Sequence, residues 1–218
     1  MPSPVFVAVA GNIGAGKSSL TRLLAKRFGW VPYFESVDDN PYLPDFYADM
    51  KRWSFHLQMY FLANRFKNHK KMIESGKSVI QDRSIYEDAE IFARNLYEMG
   101  NMEMRDYENY TSLFGVMMEY LKPPDLMIYL RSTVDTLLDQ ISRRGRTYEQ
   151  SIRRDYLELL NRHYEEWIGR YSLGALLIVR TDGLDFVGRK KDFEDLAAAV
   201  EKSLALPSTT PAPRNTFR

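Results

Sequence analysis

Gly11–Ser19 reads GNIGAGKSS and follows an apolar run, Val5–Ala10 (VFVAVA). Gly11, Gly16, Lys17 and Ser18 fit the spacing G-x-x-x-x-G-K-[ST]. In that pattern glycines let the backbone wrap tightly and turn its N–H groups inward. A helix opening at Lys17 adds the positive end of its dipole. Lys17 is long enough to reach the β- and γ-phosphates of a nucleoside triphosphate, and the Ser18 hydroxyl suits Mg²⁺. Asn12, Ile13, Gly14, Ala15 and Ser19 complete the cradle. A chain of this length meets the pattern by chance roughly once in a hundred. Here it sits between a strand and a helix, the context the chemistry needs. The stretch points to an ATP-type site on an α/β fold, presented at the end of the first strand.

Outward from that loop, further apolar runs occur at Val31–Phe34, Ser78–Gln81, Leu126–Leu130 and Leu176–Val179. Continuous runs of this kind suit strands buried on both faces. Helical periodicity covers Lys17–Phe28, Asp45–Glu74, Asp88–Met99, Asp106–Tyr120, Val134–Ser142, Ser151–Tyr171 and Asp192–Leu204. Gly29, Gly76 and Gly100 act as stops, and the Pro123-Pro124 pair ends the fourth stretch. The alternation predicts a three-layer α/β/α fold with a five-stranded parallel sheet and right-handed crossovers. Ligands in such folds bind at the C-terminal ends of the strands. Residues 1–206 read as a single domain. Residues 207–218, PSTTPAPRNTFR, have little to bury and are predicted to form a disordered tail.

With 30 Lys and Arg against 29 Asp and Glu, the chain has a formal net charge of +1. That argues against nucleic acid or an anionic membrane as partner, so phosphate chemistry must use locally placed cations. The absence of cysteine excludes disulfides, Cys-ligated zinc and a thiol nucleophile, and is compatible with a cytoplasmic location. No apolar run has the length of a membrane helix, and the start of the chain carries no signal-peptide pattern. His56, His69 and His163 lack metal-ligand spacing.

A switch GTPase would carry an N-K-x-D-type signature, and none occurs. A small-molecule kinase needs an acceptor-orienting carboxylate and arginines that offset charge during transfer. Both are available. Arg143-Arg144-Gly145-Arg146 reads as a short arginine-rich lid, suited to phosphate because each guanidinium bonds two oxygens at once. Asp82-Arg83-Ser84 ends the third strand, where Asp82 can help hold Mg²⁺ and Arg83 can sit between acceptor and γ-phosphate. Glu35 closes the second strand and can accept a hydroxyl proton. The blander readings are a basic helix end, an Asp-capped turn and a surface Glu; the phosphate loop in the same chain outweighs them.

These segments, with WSFHLQMY at Trp53–Tyr60, DRSIYEDAEIFARNLYE at Asp82–Glu98, YLR at Tyr129–Arg131, RRGRTYEQ at Arg143–Gln150 and YLELLNRHYEEW at Tyr156–Trp167, resemble the deoxyribonucleoside kinase family. The resemblance runs from about Val5 to Leu204 and implies a P-loop kinase fold, ATP and Mg²⁺ as donor pair, and a homodimer. It also implies roles. Glu35 matches the catalytic base at the 5′-hydroxyl, with Arg83 beside it and Lys17 on the phosphates. Ser18 and Asp82 match the metal-holding positions. Tyr47 and Glu149 match the pair on the 3′-hydroxyl, and Gln58 the amide that reads the base edge. Arg144 and Arg146 match lid arginines, and Asp185-Phe186 the segment near the donor base. Phe55, Tyr60, Phe92 and Phe114 are candidate pocket walls.

Arg65 lies seven residues after Gln58, on the same helix face about two turns on, and Asp88 six after Asp82. In the family this Arg and Asp together accompany deoxycytidine and purine acceptors. The Asp82–Glu98 stretch looks most like bacterial deoxyadenosine and deoxyguanosine kinases. The expectation is therefore a purine deoxynucleoside acceptor. The alternatives are a deoxycytidine-preferring enzyme, a nucleoside monophosphate kinase, or a nucleotide-binding regulatory protein without catalysis. Gln140 stands where several relatives carry arginine, with Arg143 as an extra one; Tyr148 replaces a frequent second acid beside Glu149.

Overall fold

The computed structural model describes residues 3–34, 40–146, 152–205 and 214–217. β1 (Phe6–Gly11) is buried along its whole length. Its odd and even positions serve different cores. Phe6, Ala8 and Ala10 face one apolar cluster, and Val7 and Val9 face the other. This is the period-2 geometry of a strand covered on both sides. β4 (Leu126–Arg131) divides the same way, with Met127 and Tyr129 to the first cluster and Leu126, Ile128 and Leu130 to the second.

Among the described residues every strand pairing is parallel: β2 (Val31–Tyr33), β3 (Val79–Asp82), β1, β4, β5 (Ala175–Arg180) and β6 (Arg214–Phe217), in that spatial order. β1 therefore lies between β3 and β4, and the ends of β1 and β3 lie side by side with Val9 opposite Asp82. That adjacency brings the phosphate loop next to Asp82 and Arg83.

One layer holds α1 (Lys17–Phe28), α7 (Val134–Arg144) and α9 (Lys190–Ala205), whose Leu20, Leu24, Leu137, Ile141, Leu196 and Val200 build the second cluster. The other layer holds α2 (Leu43–Ala48), α3 (Met50–Glu74), the rod from Ile85 to Glu98, α6 (Met104–Met118) and most of the apolar face of α8 (Arg154–Arg170).

Three expectations need correction. The helix expected over Asp45–Glu74 is two helices, because Asp49 leaves helical geometry (φ −147°, ψ 84°) and its carboxylate caps the Arg52 N–H at 3.2 Å. A short acidic side chain competes with the helical hydrogen bond and favours the cap. The helix expected over Asp88–Met99 starts earlier, as α4 (Ile85–Glu87), and runs through a π-helical segment (Asp88–Ala93) into α5 (Arg94–Glu98). The sheet has six strands, not five, because Arg214–Phe217 pairs with β5, from Leu176↔Arg214 to Val179↔Phe217. This part of the expected tail is anchored: Asn215 Nδ2 donates to Ser203 Oγ at 3.0 Å, and Phe217 packs on the second cluster. The rest of that tail before Arg214 lies outside the described residues.

Candidate active site

The phosphate loop is fixed from below. Gly14 (φ 87°) and Gly16 (φ 91°) adopt left-handed geometry, which side chains disfavour. A Cβ on Gly14 would come within 2.8 Å of the Leu137 carbonyl oxygen, and one on Gly16 within 3.1 Å of Phe186. Asn12 ties the loop to α8: its Nδ2 donates to the Leu157 carbonyl at 3.0 Å and to Asn161 Oδ1 at 2.7 Å, while its Oδ1 accepts the Ile13 N–H at 2.7 Å. Lys17 Nζ donates to the carbonyls of Gly11 (2.8 Å) and Asn12 (2.9 Å). The lysine is thus held over the loop, within a short swing of any phosphate bound there.

At the strand ends the Ser18 hydroxyl donates to Asp82 Oδ2 at 2.5 Å. Two hard oxygen donors converge here, and among the described residues no cluster of three or more His, Asp or Glu forms an all-protein metal cage. That donor set fits Mg²⁺, which keeps several waters and takes phosphate oxygens besides one or two protein ligands.

Arg83 has φ 65°, the one described non-glycine residue with positive φ. Such a conformation costs on the order of 1 kcal/mol or more and persists where the surroundings over-determine it. They do so here. The Arg83 N–H donates to the Val9 carbonyl at 2.9 Å, and Arg65 Nη1 donates to the Arg83 carbonyl at 3.1 Å. The guanidinium lies 4.4 Å from the Phe92 ring centroid and donates to Tyr164 Oη at 3.1 Å. Glu87, fully buried, sits 3.6 Å from the same guanidinium nitrogen. Arg65 Nε donates to Asp88 Oδ2 at 2.6 Å, both side chains being buried.

A cavity of about 270 Å³ joins these groups. Its polar end has Lys17, Ser18, Asp82 and Arg83, with Arg144 and Arg146 reaching in from the end of α7. Its other end has Tyr47, Gln58 and Asp88 among the apolar side chains Phe46, Leu57, Phe61 and Phe92. The π-helical segment contributes both Asp88 and Phe92. Gln58 is buried, and its Oε1 has no hydrogen-bond partner among the described residues. Arg65 stands behind this wall, through Asp88. Burial pushes the Tyr156 phenol up to about 12, against the nearby Arg83 charge and a hydrogen bond with Asn95, which pull it down. Tyr156 therefore enters the cavity as a neutral hydroxyl.

Of the expected pocket walls, Phe92 lines the cavity, while Phe55, Tyr60 and Phe114 do not. Phe46, Phe61 and Tyr156 take their places; Phe61, three residues after Gln58 on one helix face, was the legible one. Glu35 and Glu149 lie outside the described residues. Phe186 is buried against the underside of the phosphate loop, and Asp185 accepts the Gly188 N–H at 2.7 Å within its own turn. Arg143 is exposed and absent from the cavity lining. Glu87 and Tyr164, which join the loop to Arg83, escaped the sequence reading.

The family model for deoxynucleoside kinase matches residues 7–205. The chain belongs to the deoxynucleoside kinase family. It is accordingly an ATP-dependent phosphotransferase with the P-loop kinase fold. The kinase is 44% identical over 202 residues to a deoxyadenosine/deoxycytidine kinase of Bacillus subtilis, covering 92% of this chain and 93% of the relative. It is 41% identical to a deoxyguanosine kinase of Lactobacillus acidophilus, with 86% of each chain covered. Among solved structures, deoxyadenosine kinase from M. mycoides with the products dCMP and dCDP bound superposes with a TM-score of 0.81 at 30% identity, over 90% of this chain and 99% of that one. The same enzyme is also known with dATP bound (TM-score 0.79). Among the described residues no helix of the kinase is long and apolar enough to cross a membrane.

Proposed function

We propose that the kinase transfers the γ-phosphate of ATP to the 5′-hydroxyl of a purine deoxyribonucleoside, deoxyadenosine or deoxyguanosine, with deoxycytidine as a secondary acceptor. The carrying observation is the buried Gln58 Oε1, without a partner among the described residues, at the wall that holds Asp88. A buried amide oxygen left unpaired costs about 1–3 kcal/mol, and a nucleobase N–H removes that cost. The amide offers donor and acceptor together, as a base edge does. The Arg65–Asp88 pair makes the wall beyond it polar. A thymine methyl would meet charge there, whereas a larger or amino-bearing base finds partners. The names of the relatives support the same substrate classes.

In this reading Glu35 takes the proton of the 5′-hydroxyl as its oxygen attacks the γ-phosphorus in line. Lys17, Arg83, Arg144 and Arg146 stabilise the charge spread over the transferring group. Tyr47 and Glu149 hold the 3′-hydroxyl, and Asp185 and Phe186 border the donor base. Ser18 and Asp82 hold Mg²⁺, which neutralises phosphate charge when bound. The functional unit is a homodimer working in the cytoplasm.

The test is phosphorylation of deoxyadenosine, deoxyguanosine, deoxycytidine and thymidine, each alone, with ATP and Mg²⁺. Dominant turnover of one or both purines is expected. Dominant turnover of thymidine would refute the reading of Arg65 and Asp88. Dominant deoxycytidine turnover would favour the second reading, a deoxycytidine kinase, to which the dual name of the Bacillus subtilis relative lends weight.

A further inference from the structure

Glu87 has no exposure and no place in the chemistry above, yet it touches the phosphate loop at Gly11, Ser84, Tyr164 and Arg83. Its Oε1 accepts the Gly11 N–H at 3.2 Å and the Tyr164 hydroxyl at 2.7 Å, and lies 3.6 Å from Arg83 Nη1. Its Oε2 accepts the Ser84 N–H at 2.7 Å and the Ser84 hydroxyl at 3.1 Å. Tyr164 Oη in turn accepts from Arg83 and lies 2.8 Å from the Gly11 carbonyl, the same carbonyl that receives Lys17. Burial, then the Glu87 charge, pushes the Tyr164 phenol far up, so it stays a donor.

Part of this is an ordinary helix cap. Ser84 and Glu87 form a capping box at the start of α4. A capping box is served equally by Gln, however, and needs a single side-chain oxygen. The second oxygen and the charge go elsewhere: to the phosphate loop, to Tyr164 and to Arg83. Burying a charge is expensive, and a buried ion pair is weak evidence of stabilisation. What a carboxylate supplies here is a rigid two-oxygen acceptor between three donors that must keep fixed separations.

We propose that Glu87, working through the Tyr164 hydroxyl, is a positioning residue that locks the Arg83 guanidinium and the Gly11 end of the phosphate loop into one arrangement. This rests on the reading that Arg83 acts on the transferring phosphoryl group. The left-handed backbone of Arg83 is part of the same device. It is held by the Val9 carbonyl and Arg65 on the main chain, and by Glu87, Tyr164 and Phe92 on the side chain.

The experiment compares Tyr164→Phe, Glu87→Gln, Arg83→Ala and the double variants that combine Arg83→Ala with each of the first two. Glu87→Gln keeps the capping oxygen and removes the second one. Tyr164→Phe removes one buried hydroxyl and remains informative where Glu87→Gln does not fold. Tyr129→Phe, an equally buried tyrosine whose hydroxyl bonds Glu165 at 3.1 Å, controls for loss of a buried hydroxyl as such. Misplaced catalytic groups can cost up to about 100-fold. For Tyr164→Phe and Glu87→Gln, kcat is expected to fall by about 10- to 100-fold on that ground, with the nucleoside KM moving less than about threefold. In the Arg83→Ala background both losses should shrink to less than about twofold, since residues acting as a unit are not additive. Wild-type kcat in both variants, or losses that multiply in full with Arg83→Ala, overturns the positioning role while the chemistry of Arg83 stands. Wild-type turnover of Arg83→Ala overturns that chemistry and the positioning role with it.

Discussion

Arg65 donates through Nη1 to the main-chain carbonyl of Arg83 at 3.1 Å while its Nε holds Asp88 at 2.6 Å. The buried pair at the wall of the acceptor pocket is thereby braced against the residue at the phosphate end. One guanidinium, outside the cavity lining, thus bonds a residue from each end of the cavity. A change at the base-reading wall should therefore be felt in the chemistry as well as in selectivity.

Asp88→Ala tests this. It leaves the Arg65 charge buried without its carboxylate, a defect of about 3–5 kcal/mol in typical proteins. On a chain of this length each kcal/mol lowers Tm by about 2–4 °C. The expected outcome is a clear drop in Tm, a loss of about 100-fold or more in kcat/KM for the preferred purine, and a rise in the relative rate with thymidine. Unchanged acceptor ratios would show that the pair serves the fold alone.

Lys17→Ala and Glu35→Gln separate the phosphate loop from the base. Lys17 is buried, and its ammonium donates to the loop carbonyls of Gly11 and Asn12. Its loss should cut kcat by about 100-fold or more with little change in melting temperature. Glu35→Gln should cut kcat by about 100- to 10,000-fold and keep nucleoside binding. Near-wild-type turnover in both would refute the assigned mechanism.

The strands and most helices were legible because both sheet faces are covered, which makes strands read as unbroken apolar runs. The phosphate loop was legible because backbone wrapping demands glycine at fixed places. The π-helical segment was not, since nothing in DAEIFA distinguishes a wide turn from an α-helical one. Gln58 and Asp88 both line the cavity, and Arg65 bonds Asp88 from outside that lining. The Glu87–Tyr164 contact stayed hidden because it joins residues 77 positions apart, and each alone resembles ordinary helix content.

Two buried histidines predict the acid side of the stability curve. Burial lowers the pKa of His69 below its usual 6.5, partly opposed by its bond to the Lys122 carbonyl. Burial also lowers that of His163, opposed by Glu98 and reinforced by Arg94, with Glu166 raising it and Arg162 lowering it. The unfolded chain, titrating near 6.5, then binds protons that the folded chain refuses. Stability from these groups is present above pH ~6.5 and is lost as pH falls through the folded pKa values. Resistance of the wild type to urea should weaken as pH falls below about 6.5. A His69→Gln, His163→Gln double variant should flatten that slope; an unchanged slope would trace it to carboxylates instead.

The C-terminal strand gives the last prediction. β6 covers the outer edge of β5, away from the strand ends that line the cavity. Removing residues 206–218 exposes the β5 ladder, and an open edge invites pairing with other chains. The shortened kinase should melt several degrees lower and aggregate sooner, yet keep kcat within about twofold, because no cavity residue rests on β6. Phe217→Ala isolates the side-chain share: a half-buried aromatic should cost less than the ~3–5 kcal/mol of a fully buried one. If Phe217→Ala melts like the wild type while the deletion does not, the stabilisation lies in the strand pairing. If neither shifts Tm, β6 adds nothing to the fold, and the pairing with β5 does not persist in solution.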